Sequence, residues 1–233
     1  MDSMQSRFLE VPNPVGIDVG LTKVAVLSDG TEYGNTREYR KMADAFRREG
    51  RKLSCALPNT EGYRRIQARL AHMYSGVADR RREFVEKTSL EIVRSHTFIA
   101  MEDLSVKGLR SVSKGRSMNI SYSDSSMGRL RERILCKAIE AGRDIVLVDP
   151  RNTSQMCSRC GDMVNKGLED RMHVCPGCGL VMDRDLNAAK NILKLASVKW
   201  MDRPSRPDLN RMKSLAYRRG TMMDECNANY LFI

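Results

Sequence analysis

Cys157-Ser-Arg-Cys160, Cys175-Pro-Gly-Cys178 and Asp183-Arg-Asp-Leu-Asn-Ala-Ala-Lys-Asn-Ile192 all fall within one run, Val148 to Leu193, and the reading of that run decides the fold. Its two Cys-x2-Cys knuckles are separated by residues 161–174 and offer four thiolates. Zinc accepts four sulfur ligands in a closed tetrahedron. Gly161 and Gly179 follow the knuckles and Gly177 lies inside the second, where the chain must turn tightly around an ion. The expectation is a zinc ribbon over residues 151–182, holding one structural Zn2+ on Cys157, Cys160, Cys175 and Cys178. Four free thiols or an iron site are the alternatives. His173, two residues before Cys175, is read as an ordinary surface residue.

A helix follows the ribbon, expected over Asp185–Ala196 within a segment 183–198. Asp183 suits its N-cap. Asp185 then projects from the first turn, free to face a sheet. Asn187 is either a substrate-orienting group or a capping group. Two earlier carboxylates have the same character. Asp18 lies inside the short apolar strand of Gly16-Ile-Asp-Val-Gly20, and burying it is costly unless it is paired or binds metal. Glu102 stands where the apolar strand Phe98-Ile-Ala-Met101 runs out into a loop, and Asp103 should point the other way. A solvated strand end is the bland reading of Glu102. Three acids from separate segments can converge on two divalent cations about 3.5–4 Å apart, the arrangement that hydrolyses phosphodiesters. Oxygen ligands suit Mg2+ or Mn2+.

Composition agrees with a polyanionic partner. The chain has 233 residues, 41% of them apolar, and a net charge of +11 from 40 Lys+Arg against 29 Asp+Glu. Residues 37–87 carry 14 basic and 7 acidic residues, so they hold +7 of that excess. A solvated helix face is the default for such a run; its one-sidedness favours phosphate contact, with Arg64, Arg65, Arg69, Arg80 and Arg81, and Lys107 and Lys114 further on, as candidates. Seven Cys, four of them in knuckles, argue for metal binding in a reducing compartment. There is no signal-peptide pattern in the first residues and no apolar run near the roughly 18 residues of a membrane helix. A soluble cytoplasmic protein without membrane contact is expected.

Along the chain, residues 1–14 read as a polar arm. Val15–Gly20, Thr22–Leu27 and Thr31–Tyr33 read as strands, the last two joined by the Asp29-Gly30 turn. Residues 35–53 and 62–94 read as two helices broken at Leu57-Pro58-Asn59, with Ile66, Leu70, Met73, Val77, Phe84 and Val85 on one face of the second. His96–Met101 is a strand, Ser105–Ser126 a Ser/Gly-rich basic loop, Arg129–Gly142 a helix and Asp144–Val148 a buried strand. The order predicts an α/β layer with helices against a mixed sheet. The segment 199–233 has no clear organisation.

Gly16-Ile-Asp-Val-Gly20, Met101-Glu-Asp-Leu-Ser-Val-Lys-Gly108, Val148-Asp-Pro-Arg-Asn-Thr-Ser-Gln-Met-Cys-Ser-Arg-Cys-Gly161, Cys175-Pro-Gly-Cys-Gly179 and Asp183–Ile192 occur in this order. Together they resemble the C-terminal nuclease half of the TnpB proteins, the OrfB-type proteins of insertion sequences related to type V CRISPR effectors. The Gly-Ile-Asp-x-Gly piece alone also resembles the first phosphate loop of actin and Hsp70-like ATPases, but the second Asp-x-Gly-Gly loop of that family is missing. The TnpB resemblance covers about residues 15–195. It implies an RNase H-like (RuvC-type) core over 15–150 with a basic helical insertion at about 35–94, a lid over the site at about 105–128, and the inserted ribbon. It implies a transposon-associated, RNA-guided DNA endonuclease with Asp18, Glu102 and Asp185 as its metal-binding catalytic triad, and DNA and guide RNA as partners. Family members carry a large N-terminal region where about fifteen residues stand here. The expectations are therefore a truncated copy, a fragment of a split reading frame or a minimal form, and the rival function is a non-cleaving nucleic-acid-binding remnant.

Overall fold

The computed structural model describes residues 11–104, 125–167 and 169–202. Lys107, Lys114 and most of the expected lid lie outside the described residues. The chain opens with β1 (Pro14–Val19), β2 (Lys23–Leu27) and β3 (Glu32–Gly34). Gly30 takes φ 97° between β2 and β3, a conformation glycine adopts without strain, and Asp29 Oδ1 accepts the Thr31 N–H at 2.8 Å to close the turn. Helices α1 (Glu38–Cys55) and α2 (Glu61–Ser95) follow. Thr60 caps α2, its hydroxyl accepting from the Tyr63 N–H. Then come β4 (Phe98–Glu102), α3 (Met127–Glu140), β5 (Asp144–Val148), the short strands β6 (Met172–Val174) and β7 (Val181–Asp183), and α4 (Arg184–Met201).

Strand order in the main sheet is β3-β2-β1-β4-β5. β2 runs antiparallel to β1 and β3, while β1, β4 and β5 are parallel neighbours. Two parallel joins need crossovers, and the helices supply them. Side chains alternate between the faces of a strand, so the sheet has two distinct apolar surfaces. Val15, Ile17, Ile99, Met101 and Ile145 pack with Val85, Ile92 and Val93 of α2 and Leu130, Ile134 and Ala138 of α3. On the opposite face Phe98, Ala100, Val146 and Val148 pack with Ile192 and Ala196 of α4. Each fully buried side chain of this size contributes about 1.5–3 kcal/mol. Glu86 of α2 joins the first layer to α3, accepting from Arg133 at 2.5 and 2.9 Å, with Lys137 Nζ 2.9 Å away.

Gly16 permits the second layer. A Cβ there would stand 2.1 Å from the Ala189 carbonyl oxygen and 2.8 Å from the Leu193 nitrogen, so α4 lies directly on the backbone of β1. The helix is longer than expected. It includes Lys199 and Trp200, whose indole meets the Phe98 ring edge-on at 6.1 Å, so the first residues of the unassigned segment 199–233 belong to the body. At the other boundary, α3 starts at Met127, so the last two residues of the expected loop 105–128 are helical.

The N-terminal part of α2 packs on α1 through aromatic stacking. Phe46 lies 5.2 Å from Tyr39 and 4.3 Å from Tyr74, and Arg80 donates to Glu38 at 2.7 Å. Ile66, Leu70 and Met73 are half-buried, and full burial begins at Val77.

Candidate functional site

The two knuckles have the same backbone design. Gly161 N–H donates to the Cys157 carbonyl and Gly179 N–H to the Cys175 carbonyl, each at 2.9 Å. Cys157 N–H donates to the Asp162 carbonyl and Cys175 N–H to that of Leu180, again at 2.9 Å. Both glycines have positive φ, 86° and 71°. This repeat brings four sulfurs together. Cys157 and Cys178 are 3.6 Å apart, Cys160 and Cys175 are 3.5 Å apart, and all four ligand atoms lie within 4.8 Å of one another. A disulfide would need about 2.05 Å. A zinc tetrahedron with about 2.3 Å bonds has sulfur–sulfur edges of about 3.8 Å, so the four cysteines fit a metal such as zinc. Burial alone would push the Cys157 thiol up, but the backbone N–H groups of Cys160 and Arg159, with His173, bring it down to about 5. Backbone hydrogen bonding near Asp162 favours the Cys160 thiolate, yet burial and the other three sulfurs push that thiol up to about 12. Without a cation the group resists multiple ionisation.

His173 corrects the sequence reading. It is fully buried, with Nδ1 against Lys166 Nζ. The β6–β7 pairing turns it inward while Met172 and Val174 face out.

The ribbon is fastened to α4 by two buried asparagines that share a helix face four residues apart. Asn187 accepts the Ser158 N–H at 2.9 Å and donates to the Met156 carbonyl at 2.8 Å. Asn191 donates to the carbonyls of Thr153 at 2.9 Å and Met156 at 2.6 Å. Asn187 thus does not cap the helix; both ends of its amide are taken up by the ribbon segment. Its partners come from a distant loop, and the sequence carries no local sign of them.

The acids lie at the carboxyl ends of the parallel strands, where α/β sheets place their ligands. Ile17 pairs with Met101, and one further residue brings Asp18 level with Glu102, which pairs with Val148. Both acids share the sheet face of Gly16, Ala100 and Val146, the face α4 covers. Asp183 caps α4, its Oδ1 accepting from the Asp185 and Leu186 N–H groups at 2.9 and 3.2 Å, and its Oδ2 meets Lys23 Nζ at 3.0 Å. Those bonds outweigh burial and hold the Asp183 carboxyl below its usual range. Asp185 is left for the first turn, with its Oδ1 3.3 Å from Arg184 Nε.

Burial first, then the charges of Glu102 and Asp185, push the Asp18 carboxyl well up, and Arg184 offsets this in part. Glu102 is buried and also raised, against a hydrogen bond from Thr153 Oγ1 to its Oε1. Arg131 fixes the end of β4, donating to the Glu102 carbonyl at 3.2 Å and to Asp103 Oδ1 at 3.3 Å. Asp103 therefore answers Arg131. Glu102 and Asp185 thus both act electrostatically on Asp18, while among the described residues the group whose ligand atoms lie within 4.8 Å of one another is the four cysteines.

Of the basic candidates, Arg80 is engaged with Glu38, Arg65 with Glu61 at 3.0 Å and Arg69 with Glu49 at 3.8 Å. Arg64 is exposed and Arg81 half-buried. Among the described residues no helix is long and apolar enough to cross a membrane.

Fold and site together define a mixed α/β protein with an acid cluster at its strand ends and a four-cysteine module beside it. Residues 7–113 match the OrfB family of IS605-type elements, described as "Probable transposase", and residues 128–192 match the Cas12f1-like TNB domain. Over these two segments the chain is similar to the TnpB/OrfB proteins and their Cas12f1 relatives. It is 32% identical over 181 residues to a Streptomyces pristinaespiralis protein named "Putative RNA-guided DNA endonuclease", covering 77% of this chain and 44% of that one. It is 26% identical over 206 residues to the CRISPR-associated endodeoxyribonuclease Cas12f1 of Sulfoacidibacillus thermotolerans, covering 81% and 47%. Among solved structures it matches the Cas12f1-sgRNA-target DNA complex with a TM-score of 0.54 at 22% identity, covering 78% of this chain and 50% of that one. The chain spans about half the length of these relatives.

Proposed function

We propose that this chain is the nuclease half of a transposon-associated, RNA-guided DNA endonuclease, with an RNase H-like core of RuvC type and an inserted zinc ribbon. The observation that carries the reading is placement: the strand register sets Asp18 beside Glu102 on the face that α4 covers, and the Asp18 carboxyl is raised first by burial and then by the charges of Glu102 and Asp185. In this reading the three acids hold two Mg2+ or Mn2+ ions, which, when bound, activate a water and stabilise the leaving oxygen of a DNA phosphodiester. The protein's own part is positioning. Arg131 anchors the backbone of Glu102, Asp183 caps the first turn of α4, and Gly16 lets the following turns of that helix, at Ala189 and Leu193, lie on β1. The four cysteines hold one structural zinc. Arg64, Arg65, Arg69, Arg80 and Arg81 of α2, with Lys107 and Lys114, contact nucleic-acid phosphates. DNA and a guide RNA are the partners, by analogy with the matched Cas12f1 complex, which contains an sgRNA and target DNA.

The test is a cleavage assay. The chain is co-expressed with its flanking DNA so that any guide RNA is made, and the purified complex is given single- and double-stranded DNA with Mg2+. Cutting by the wild type and none by Asp185→Ala is expected. Cutting that persists in both Asp18→Asn and Asp185→Ala would refute the triad. No cutting by a folded, zinc-loaded protein that still retains nucleic acid would favour the non-cleaving binding form.

A further inference from the structure

Glu102 is the one acid of the three whose carboxylate is tied to the ribbon segment. Its Oε1 lies against Thr153 Oγ1, whose single proton also has the Pro150 carbonyl oxygen within reach at 3.1 Å, and Thr153 is 2% exposed. Thr153 lies on the strap between β5 and Cys157, and that strap is held at several points. Its backbone carbonyl accepts from Asn191, the Met156 carbonyl accepts from both Asn191 and Asn187, and Asn187 takes the N–H of Ser158, next to the first zinc-knuckle cysteine. A continuous line of hydrogen bonds therefore runs from the first knuckle, through the asparagines of α4, to one oxygen of Glu102.

We infer that Thr153 is the positioning residue of Glu102, fixing one carboxylate oxygen so that the other faces Asp18 and Asp185, with its own place set by the ribbon and α4. The inference rests on the reading of the three acids as a divalent-metal site. Three observations support it. A glutamate at a strand end has three rotatable bonds and, left alone, would sample many orientations; the entropy of ordering it is of the same scale as a hydrogen bond. Threonine is stiff at χ1, so its hydroxyl is a defined anchor. The strap itself is ordered by side chains with no other evident duty, since Asn187 and Asn191 are both fully buried and direct their amide donors at it. Partners of metal-binding carboxylates in such outer positions change metal affinity by about 10–100-fold when removed.

The rival explanation is that Thr153 merely fills space. The two explanations predict opposite orders for two substitutions. Thr153→Val keeps the branched shape and loses the hydroxyl; Thr153→Ser keeps the hydroxyl and loses the methyl. The zinc-loaded full chain is titrated with Mn2+ and the free ion followed by electron paramagnetic resonance, with zinc content and urea midpoint recorded for every variant. Positioning predicts Mn2+ affinity weakened about 10–100-fold in Thr153→Val and within about threefold of wild type in Thr153→Ser. The reverse order, or equal weakening in both, overturns it. If Thr153→Val does not fold, Thr153→Ala reads the same loss. Unchanged Mn2+ binding in Thr153→Val, with binding abolished in Asp18→Asn, removes the role of Thr153 and leaves the nuclease reading standing. A folded wild type that binds no Mn2+ overturns both.

Discussion

Adding one methyl group at Gly16 should separate the sheet from its last helix. The new Cβ would stand 2.1 Å from the Ala189 carbonyl oxygen, and ordinary contact begins at 3.4 Å, so α4 must retreat by about 1.3 Å. No rotamer relieves this, because the nearest obstructions are backbone atoms of α4. Overpacking of this kind typically costs about 1–3 kcal/mol, and a rigid obstruction places Gly16→Ala near the upper end. With a urea m-value of about 2–3 kcal/mol/M, the midpoint should fall by about 1 M. Gly34→Ala is the control, since nothing lies within 4 Å of its Cβ position and its φ is not positive; it should move stability by less than about 0.5 kcal/mol. The same retreat carries Asp185 away from Asp18, and a misplacement of about 1 Å at a reacting centre costs about 100-fold. DNA cleavage by the assay above should drop accordingly. A Gly16→Ala midpoint within about 0.2 M of wild type would refute the claim that α4 rests on the backbone of β1.

Other outcomes follow from the charges and the ribbon. Asp18 has a raised carboxyl, so the stability it contributes is present below the ordinary value of 3.8 and is lost as pH rises through the raised value. Asp18→Asn should therefore raise the melting temperature at pH 7 in buffer without added divalent cation, by about 1 kcal/mol or more in stability, while abolishing cleavage. Glu86 has the opposite sign: against partial burial, Arg133 and Lys137 lower its carboxyl, so its stability is present above 4.5 and is lost as pH falls through the lowered value. Glu86→Gln should cost about 1 kcal/mol at pH 7, with the difference from wild type closing in urea melts below about pH 4. Among the described residues the ribbon's own apolar cluster is Cys157, Cys175 and Leu180 with Val164, Cys178 and Met182 around it, so its order should depend on metal. Metal analysis should find one zinc per chain, and its removal should open residues 151–183 to protease while the five-stranded body stays protected. Asn187→Ala would leave the Ser158 N–H and Met156 carbonyl without this partner, and should cost about 2–3 kcal/mol in urea unfolding.

What could be read from the residues was what local chemistry determines. Asp144–Val148 was legible as a strand because an unbroken apolar run beside a glycine stop has few other solutions, and the structure gives those bounds. Asp183 was legible as a cap because two aspartates at a helix start compete for one role and the outer one has the reach. The similarity to the TnpB/OrfB proteins was legible because its pieces are specific in order and spacing. Illegible were residues whose meaning depends on a partner far along the chain. Arg131 reads as one more basic residue on an amphipathic helix until the end of β4 is seen beneath it. Asn187 and Asn191 gave a faint signal, two amides on one helix face, which points to polar burial without saying against what. His173 was misread because the ribbon inverts the usual rule: Met172 and Val174 are 49% and 54% exposed while the imidazole is enclosed.

Gly16 and the face it serves also have a meaning in time. Asp18 and Glu102 are contributed by strands made early, and the third acid arrives only with α4, the last described element. Until that helix docks, Phe98, Ala100, Val146 and Val148 lack most of the cover that the described residues give them, Val11 being the part not supplied by α4. The step that buries this apolar surface is therefore the same step that brings Asp185 to Asp18. A chain still emerging from the ribosome, or one whose last helix has come loose, holds two acids and an exposed hydrophobic face. It is at once without a complete set of acids and recognisable to chaperones and proteases. Completion of the fold and completion of the acid cluster are thus one event.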